Sequence, residues 1–272
     1  MIDASGSGLA KLTTEPEGVD DYAVSPAEGR IAYITNNQLV VLNSDGVGRT
    51  VLVDGSGLIA ESETYYYTQQ IRGLSWSPDG SLLSYGQDGL HVYDFTTSTD
   101  THVIPNDLDY RSGNLIFPNM LYSPLEWSAD GNLMLVNIGF YEAGTLGIYK
   151  PETGDVSQLG SGILCCHPTW SPDSRSIVIA SPYIGMIESG LWRVDTSTGA
   201  KSELIPTTSA DDTLNFAGWP LVLPSGKLRY FYNNTPEFPD GDVPLLMVQS
   251  ASDGVTDRTI LRPEEWRNFE VL

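Results

Sequence analysis

Lysine is scarce in this 272-residue sequence: four lysines and ten arginines stand against 35 acidic residues, a formal net charge of −21 at pH 7. That balance excludes an electrostatic footprint for nucleic acid or for an anionic membrane, both of which need basic clusters. It favours solubility and weak non-specific association instead. Cysteine is scarcer still. The two present, Cys165 and Cys166, are neighbours, which can bridge only through a strained ring, so no disulfide framework holds the chain. No apolar run is long enough to span a bilayer, and no secretory signal pattern opens the sequence. The pentapeptide Gly-x-Ser-x-Gly, which places the nucleophile of an α/β-hydrolase, is absent as well.

What is present is a repeated phrase. Trp76-Ser77-Pro78-Asp79-Gly80 returns as Trp127-Ser128-Ala129-Asp130-Gly131 and as Trp170-Ser171-Pro172-Asp173-Ser174. A period of about 40 to 50 residues with strands around each copy is the signature of a β-propeller. Each unit reads as a strand ending in Trp, a tight turn, and then a second strand. That strand is Leu82–Tyr85, Leu133–Val136 or Ile177–Ala180, apolar enough to be buried on both faces. A third strand opens on Leu: Leu39–Asn43, Leu90–Asp94, Leu146–Lys150, Leu191–Asp195 and Leu245–Gln249. Polar turns such as Asn43-Ser44-Asp45-Gly46 and Thr196-Ser197-Thr198-Gly199 lead to short outer strands, Arg49–Leu52 and Arg258–Leu261 among them.

Two weaker units, around Ala23–Tyr33 and Gly218–Phe231, bring the total to five. The expected fold is therefore all-β, a propeller of four-stranded antiparallel blades, with five recognisable blades and partial blades at both ends. Ile2–Leu12 reads as the end of a third strand, its turn and an outer strand, and Asn268–Leu272 as the start of an innermost strand. Joining the two ends into one sixth blade would leave it without its second strand. Each buried backbone group left unpaired costs about 1 to 3 kcal/mol. The expectation is thus one propeller domain over residues 1–272, truncated at both ends, from a parent of six or more blades. Few charges, with many Gly, Ser, Thr, Asn and Tyr, suit a periplasmic or extracellular protein.

Pro168-Thr169-Trp170-Ser171-Pro172-Asp173, followed by Ile177–Ala180 and Leu191–Asp195, resembles the TolB-type propeller repeat, and Asp3–Thr13 resembles its tail. The resemblance covers almost the whole chain. It implies the fold and an exported bacterial origin, not an activity, because similar repeats serve binding proteins and the propellers that precede prolyl oligopeptidase-type catalytic domains. The Gly-His and Trp-Asp pairs of ordinary WD repeats are missing, as is the Ser-x-Asp-x-Gly-x-x-Trp box of sialidase propellers.

In this architecture the turns after the first and third strands lie at one end of the blades. The remaining connections lie at the other, and they are expected to be long: 54–72, 106–122, 139–144, 181–190, 233–243 and 262–268. Long loops on a rigid scaffold are where function usually resides. These carry Tyr65, Tyr66, Tyr67, Tyr110, Phe140, Tyr141, Tyr183, Phe238 and Trp266, with Arg72 and Arg111 interrupting an acidic rim. Cys166 and His167 stand at the entry to an inner strand, near the channel mouth. Adjacent ligands chelate zinc poorly, and no second cluster completes a shell, so neither a metal nor a cofactor is expected. His91 and His102 read as packing or surface residues. The reading is a non-catalytic binding or protein-interaction propeller using the long-loop face for a protein, peptide or glycan, with no nucleic acid and no membrane insertion. The alternatives are the gating propeller of a prolyl oligopeptidase-type peptidase, or a propeller hydrolase with its site at the channel mouth.

Overall fold

The computed structural model describes residues 10–55, 58–61, 66–111, 114–140, 143–159, 167–180, 190–206, 216–233 and 246–261. Every regular element among them is a strand. They form two compact units, one ending at Ser157 and one beginning at Gln158.

The first unit opens with the sheet β1 (Asp21–Val24), β2 (Arg30–Thr35), β3 (Gln38–Asn43) and β4 (Thr50–Asp54), paired in that order. A short hairpin, β5 (Leu58–Glu61) and β6 (Tyr66–Thr68), follows. The second sheet is β7 (Arg72–Trp76), β8 (Leu82–Gly86), β9 (Gly89–Asp94) and β10 (Thr99–Pro105). The third has five strands: β11 (Asp107–Arg111), β12 (Asn114–Trp127), β13 (Met134–Phe140), β14 (Ala143–Lys150) and β15 (Asp155–Gln158). The second unit holds β16 (Thr169–Trp170), β17 (Ser176–Ala180), β18 (Leu191–Asp195) and β19 (Lys201–Ile205). Its other sheet is β20 (Phe216–Val222), β21 (Leu228–Asn233), β22 (Leu246–Ser250) and β23 (Thr259–Leu261). The strands described above pair antiparallel, and each sheet is a meander, as the repeat requires.

The repeated phrase does two physical jobs. Ser77 Oγ accepts from Leu82 N at 2.9 Å and donates to Asp79 Oδ1 at 2.6 Å, pinning the turn from both sides, and Ser128 with Asp130 and Ser171 with Asp173 repeat this geometry. Gly80 and Gly131 supply the positive φ that the turn needs, and Ser174 adopts it with φ 59°. The tryptophans join sheets. Trp76 Nε1 donates to Ala23 O of the first sheet at 3.1 Å, and Trp127 Nε1 donates to Ser84 Oγ of the second at 3.0 Å. Around these bonds the core is sheet on sheet. Ala32, Ile34, Leu39 and Val41 pack with Trp76, Leu83 and Tyr85; Leu90 and Val92 pack with Trp127, Met134 and Val136. In the second unit Val178, Ala180 and Leu191 pack with Ala217, Leu228 and Tyr230. Each such aliphatic side chain contributes about 1.5 to 3 kcal/mol when fully buried.

Two expectations are corrected. Ala10–Thr13 form no strand. Leu12 packs instead on Ile31, Tyr33, Val40 and Leu42, covering a face of the first sheet that would otherwise be open. The supposed long loops 106–122 and 139–144 are largely ladder: β11 pairs with the first half of β12, and β13 and β14 run on to the Phe140↔Ala143 pair. Pro118 and Pro124 both lie within β12. Both are tolerated because β12 carries register breaks, one between the Asp107 and Leu108 pairs and one between Pro124 and Glu126. Residues 2–9 and 268–272, on which the partial end blades rested, lie outside the described residues.

Candidate functional site

In the first unit the anticipated rim is built from strand ends. Asn37, with φ 56°, accepts from Ile71 N through its Oδ1 at 2.8 Å, and Asn106 Oδ1 accepts from Tyr122 N at 2.7 Å. Each asparagine therefore hands the chain from one sheet to the next. Arg72 begins β7 opposite Gly86, where a Cβ would meet both Arg72 Cγ at 3.4 Å and Ser123 Cβ of β12 at 3.5 Å. Phe140 and Met120 are exposed at 37% and 43%, one register step beyond the Leu121↔Gly139 pair. Tyr66 and Tyr67 lie on β6, and Tyr110 and Arg111 on β11 opposite Leu115 and Asn114. The backbone thus brings Arg72 and Phe140 to strand ends that share the neighbour β12. Tyr65, Tyr141, Cys166 and Tyr183 lie outside the described residues, as do Phe238 and Trp266.

Beside that rim His91 and His102 are directly opposed across β9 and β10 and stack with centroids 4.1 Å apart, and Tyr85 stacks under His91 at 4.9 Å. His91 Nδ1 meets Asp100 Oδ2 at 3.2 Å, and His102 Nε2 meets Asp88 O at 3.1 Å. Tyr85 is fully buried, and burial, followed by the charge of Asp100, pushes its hydroxyl far above the ordinary range. The rings lie nearly parallel, so their nitrogens do not converge on a point. Among the described residues no group of three or more His, Cys, Asp or Glu side chains is placed to hold a metal ion.

In the second unit the arrangement differs from anything the sequence suggested. His167, with φ 51°, lies on the approach to β16, and its ring rests 5.4 Å from that of Trp219 on β20. Trp219 also has a positive φ, 46°, at the register break between Gly218 and Leu221. A left-handed φ on a bulky residue is a true outlier and marks a position held by its surroundings. Phe231 supplies part of that hold, edge-on to Trp219 at 5.8 Å. The indole nevertheless remains 43% exposed. Trp219 is therefore strained and open, with two aromatic rings against it.

Neither a protein-family model nor a curated protein sequence matches the chain. Solved structures do. TolB from Acinetobacter baumannii superposes with a TM-score of 0.56 at 17% identity, over 93% of this chain and 56% of that one. The fold is that of the TolB-like β-propellers. An oligogalacturonate lyase in complex with manganese gives 0.57 at 13% identity, over 86% and 62%. Dipeptidyl peptidase 4 from Porphyromonas gingivalis gives 0.52 at 11%, over 95% of this chain and 42% of that one. The chain thus spans less than two thirds of each of these structures. A TolB, a lyase and a peptidase share this scaffold, so the likeness carries the fold and leaves activity to the side chains. Among the described residues no helix is long and apolar enough to cross a membrane.

Trp219 is the residue that sequence reasoning missed. Gly218-Trp219-Pro220 reads as a degenerate copy of the repeat, but the tryptophans of the clear copies, Trp76, Trp127 and Trp170, sit in the core at 5% to 7% exposure, and this one does not. The signal was positional: Trp219 precedes Pro directly, where its counterparts precede Ser.

Proposed function

We propose that this chain is a non-catalytic binding propeller of an exported bacterial protein, presenting aromatic and arginine side chains at its sheet ends to a protein, peptide or glycan. The observation that carries this reading is the exposed Trp219 with the rings of His167 and Phe231 against it. An exposed indole held rigid by two neighbouring rings offers a flat apolar platform with a donor at its edge, at little entropic cost to a ligand. Phe140, Met120 and Arg72 in the first unit add a second exposed patch of the same chemical character.

Selection against a glycan array and a displayed peptide library, using the whole chain, tests the reading. Ligands so found are expected to lose about tenfold or more in affinity with Trp219→Ala, a loss of the size that removing a buried aromatic anchor produces. The far-ultraviolet spectrum should be unchanged. Ligands indifferent to Trp219→Ala and to Phe140→Ala together, or chemical turnover of the selected ligand, would overturn it.

A further inference from the structure

The turns at the opposite ends of the strands enclose a cleft between the two sheets of the second unit, with a volume of about 690 Å³. That lies within the range of small-ligand pockets. Its floor is the outward continuation of the sheet-on-sheet core, Val178, Val222 and Leu228. Its walls carry Arg175 in the turn before β17 and Arg193 on β18. Register explains the placement. Val178 pairs with Arg193, and Arg193 with Ser202, so the guanidinium stem lies on the face of the sheet that packs against the next one. Arg193 Nη2 donates to Ser252 O of the neighbouring sheet, which fixes the side chain across the cleft.

The charge arrangement is unusual for so acidic a molecule. Two carboxylates stand at the cleft, Asp173 and Asp195, and both are committed to their own turns. Asp195 accepts from the hydroxyls and N–H groups of Ser197 and Thr198, chiefly the hydroxyls, which holds it at about 2. Asp173 accepts from the Ser171 hydroxyl and from Arg175 N, which lowers it too. Among the described residues neither Arg175 nor Arg193 forms an ion pair. Asp173 feels the charge of Arg175, yet in a chain with 35 acids and 14 basic residues, two guanidinium groups outside any direct ion pair, over an apolar floor, are a recognition element.

We infer that this cleft binds an acidic peptide segment, with a carboxylate on the arginines and an adjacent aliphatic side chain on the Val178, Val222 and Leu228 floor. The site is separate from Trp219 and the rings against it, and it stands whether or not they bind anything. Amide chemical shifts of the ¹⁵N-labelled protein, titrated with acetyl-Leu-Glu-Leu-Glu-amide and with its Gln-for-Glu counterpart, provide the test. The Glu peptide should saturate shifts in the turns around Asp173 and Ser197, and the Gln peptide should bind about tenfold more weakly, as the loss of a charge-assisted contact implies. Arg193→Gln and Arg175→Gln should each weaken the Glu peptide several-fold, while Trp219→Ala leaves it unchanged. Arg193→Lys, which keeps the charge but not the planar fork, should fall between Arg193→Gln and the wild type. No saturation at millimolar Glu peptide, equal binding of the two peptides, or binding insensitive to Arg175→Gln would each overturn the inference.

Discussion

At the scale of single residues the clearest electrostatic feature is Glu15. Its carboxylate accepts from Arg49 Nε at 3.0 Å, from the Tyr33 hydroxyl at 2.5 Å and from Thr13 Oγ1 at 2.8 Å, which takes its pKa from the ordinary 4.5 to about 2. The Arg49 bond is the largest cause. A depressed carboxyl stabilises the fold fully above its unfolded value and progressively less as pH falls through the folded one. Melting temperatures of wild type and Glu15→Gln, followed downward in pH, should therefore differ most above 4.5 and converge by about 2. Gly89 supplies a second prediction. Its φ is 129°, and a Cβ there would fall 2.0 Å from Ile104 O, so Gly89→Ala should lower stability by more than about 2 kcal/mol in a urea titration. Both residues had ordinary surroundings in sequence. Glu15 is 34 residues from Arg49, and nothing local paired them.

At the scale of elements the repeat tryptophans join one sheet to the next. Trp127→Phe keeps the ring in its pocket against Leu90 and Met134 but removes the donor to Ser84 Oγ, a buried group. A cost of about 1 to 3 kcal/mol follows from that lost bond, and Trp127→Ala, which adds a cavity, should cost about 3 to 5 kcal/mol. Chemical denaturation of the two variants checks the order. Nearly all second and third strands of the four- and five-stranded sheets were legible beforehand, because an apolar strand, a Ser-Pro-Asp-Gly turn and a Leu-initiated strand each have a local physical cause; the hairpin β5–β6, inside the expected loop 54–72, and the extra strand β11 were not. The segment from 106 to 122 was not. It reads as one of the long connections, and only pairing with β11 and β13 shows that β12 runs through it, Pro118 included. The indole of Trp219 was equally hidden, since exposure belongs to the packed sheet and not to the strand.

At the scale of the whole molecule, charge governs behaviour. With a net charge of −21 and a sequence pI of 4.2, turbidity should peak on acidification near pH 4.2 and vanish at neutral pH. Gel-shift titration with duplex DNA should show no complex at physiological salt, since two arginines in one cleft are far from the basic stripe that phosphate neutralisation needs. Net charge also conceals that cleft. Screening confines the field of distant carboxylates to about 8 Å at physiological ionic strength, so the local balance is set by Arg175, Arg193 and Lys201 against Asp173 and Asp195.

The sequence by itself determined the class of fold, the sheet order and the acidity, because each follows from short-range periodicity, turn chemistry or a sum over residues. It also marks the Trp-Ser-Pro-Asp turns as structural. Only the tertiary structure decided that Trp219 stays open and that Arg175 and Arg193 stand outside direct ion pairs. Those properties depend on what the neighbouring sheet places opposite a side chain, as Phe231 stands against Trp219 and Ser252 O against Arg193. A repeat in sequence specifies the blade, while the side chains facing across two sheets specify what they can hold.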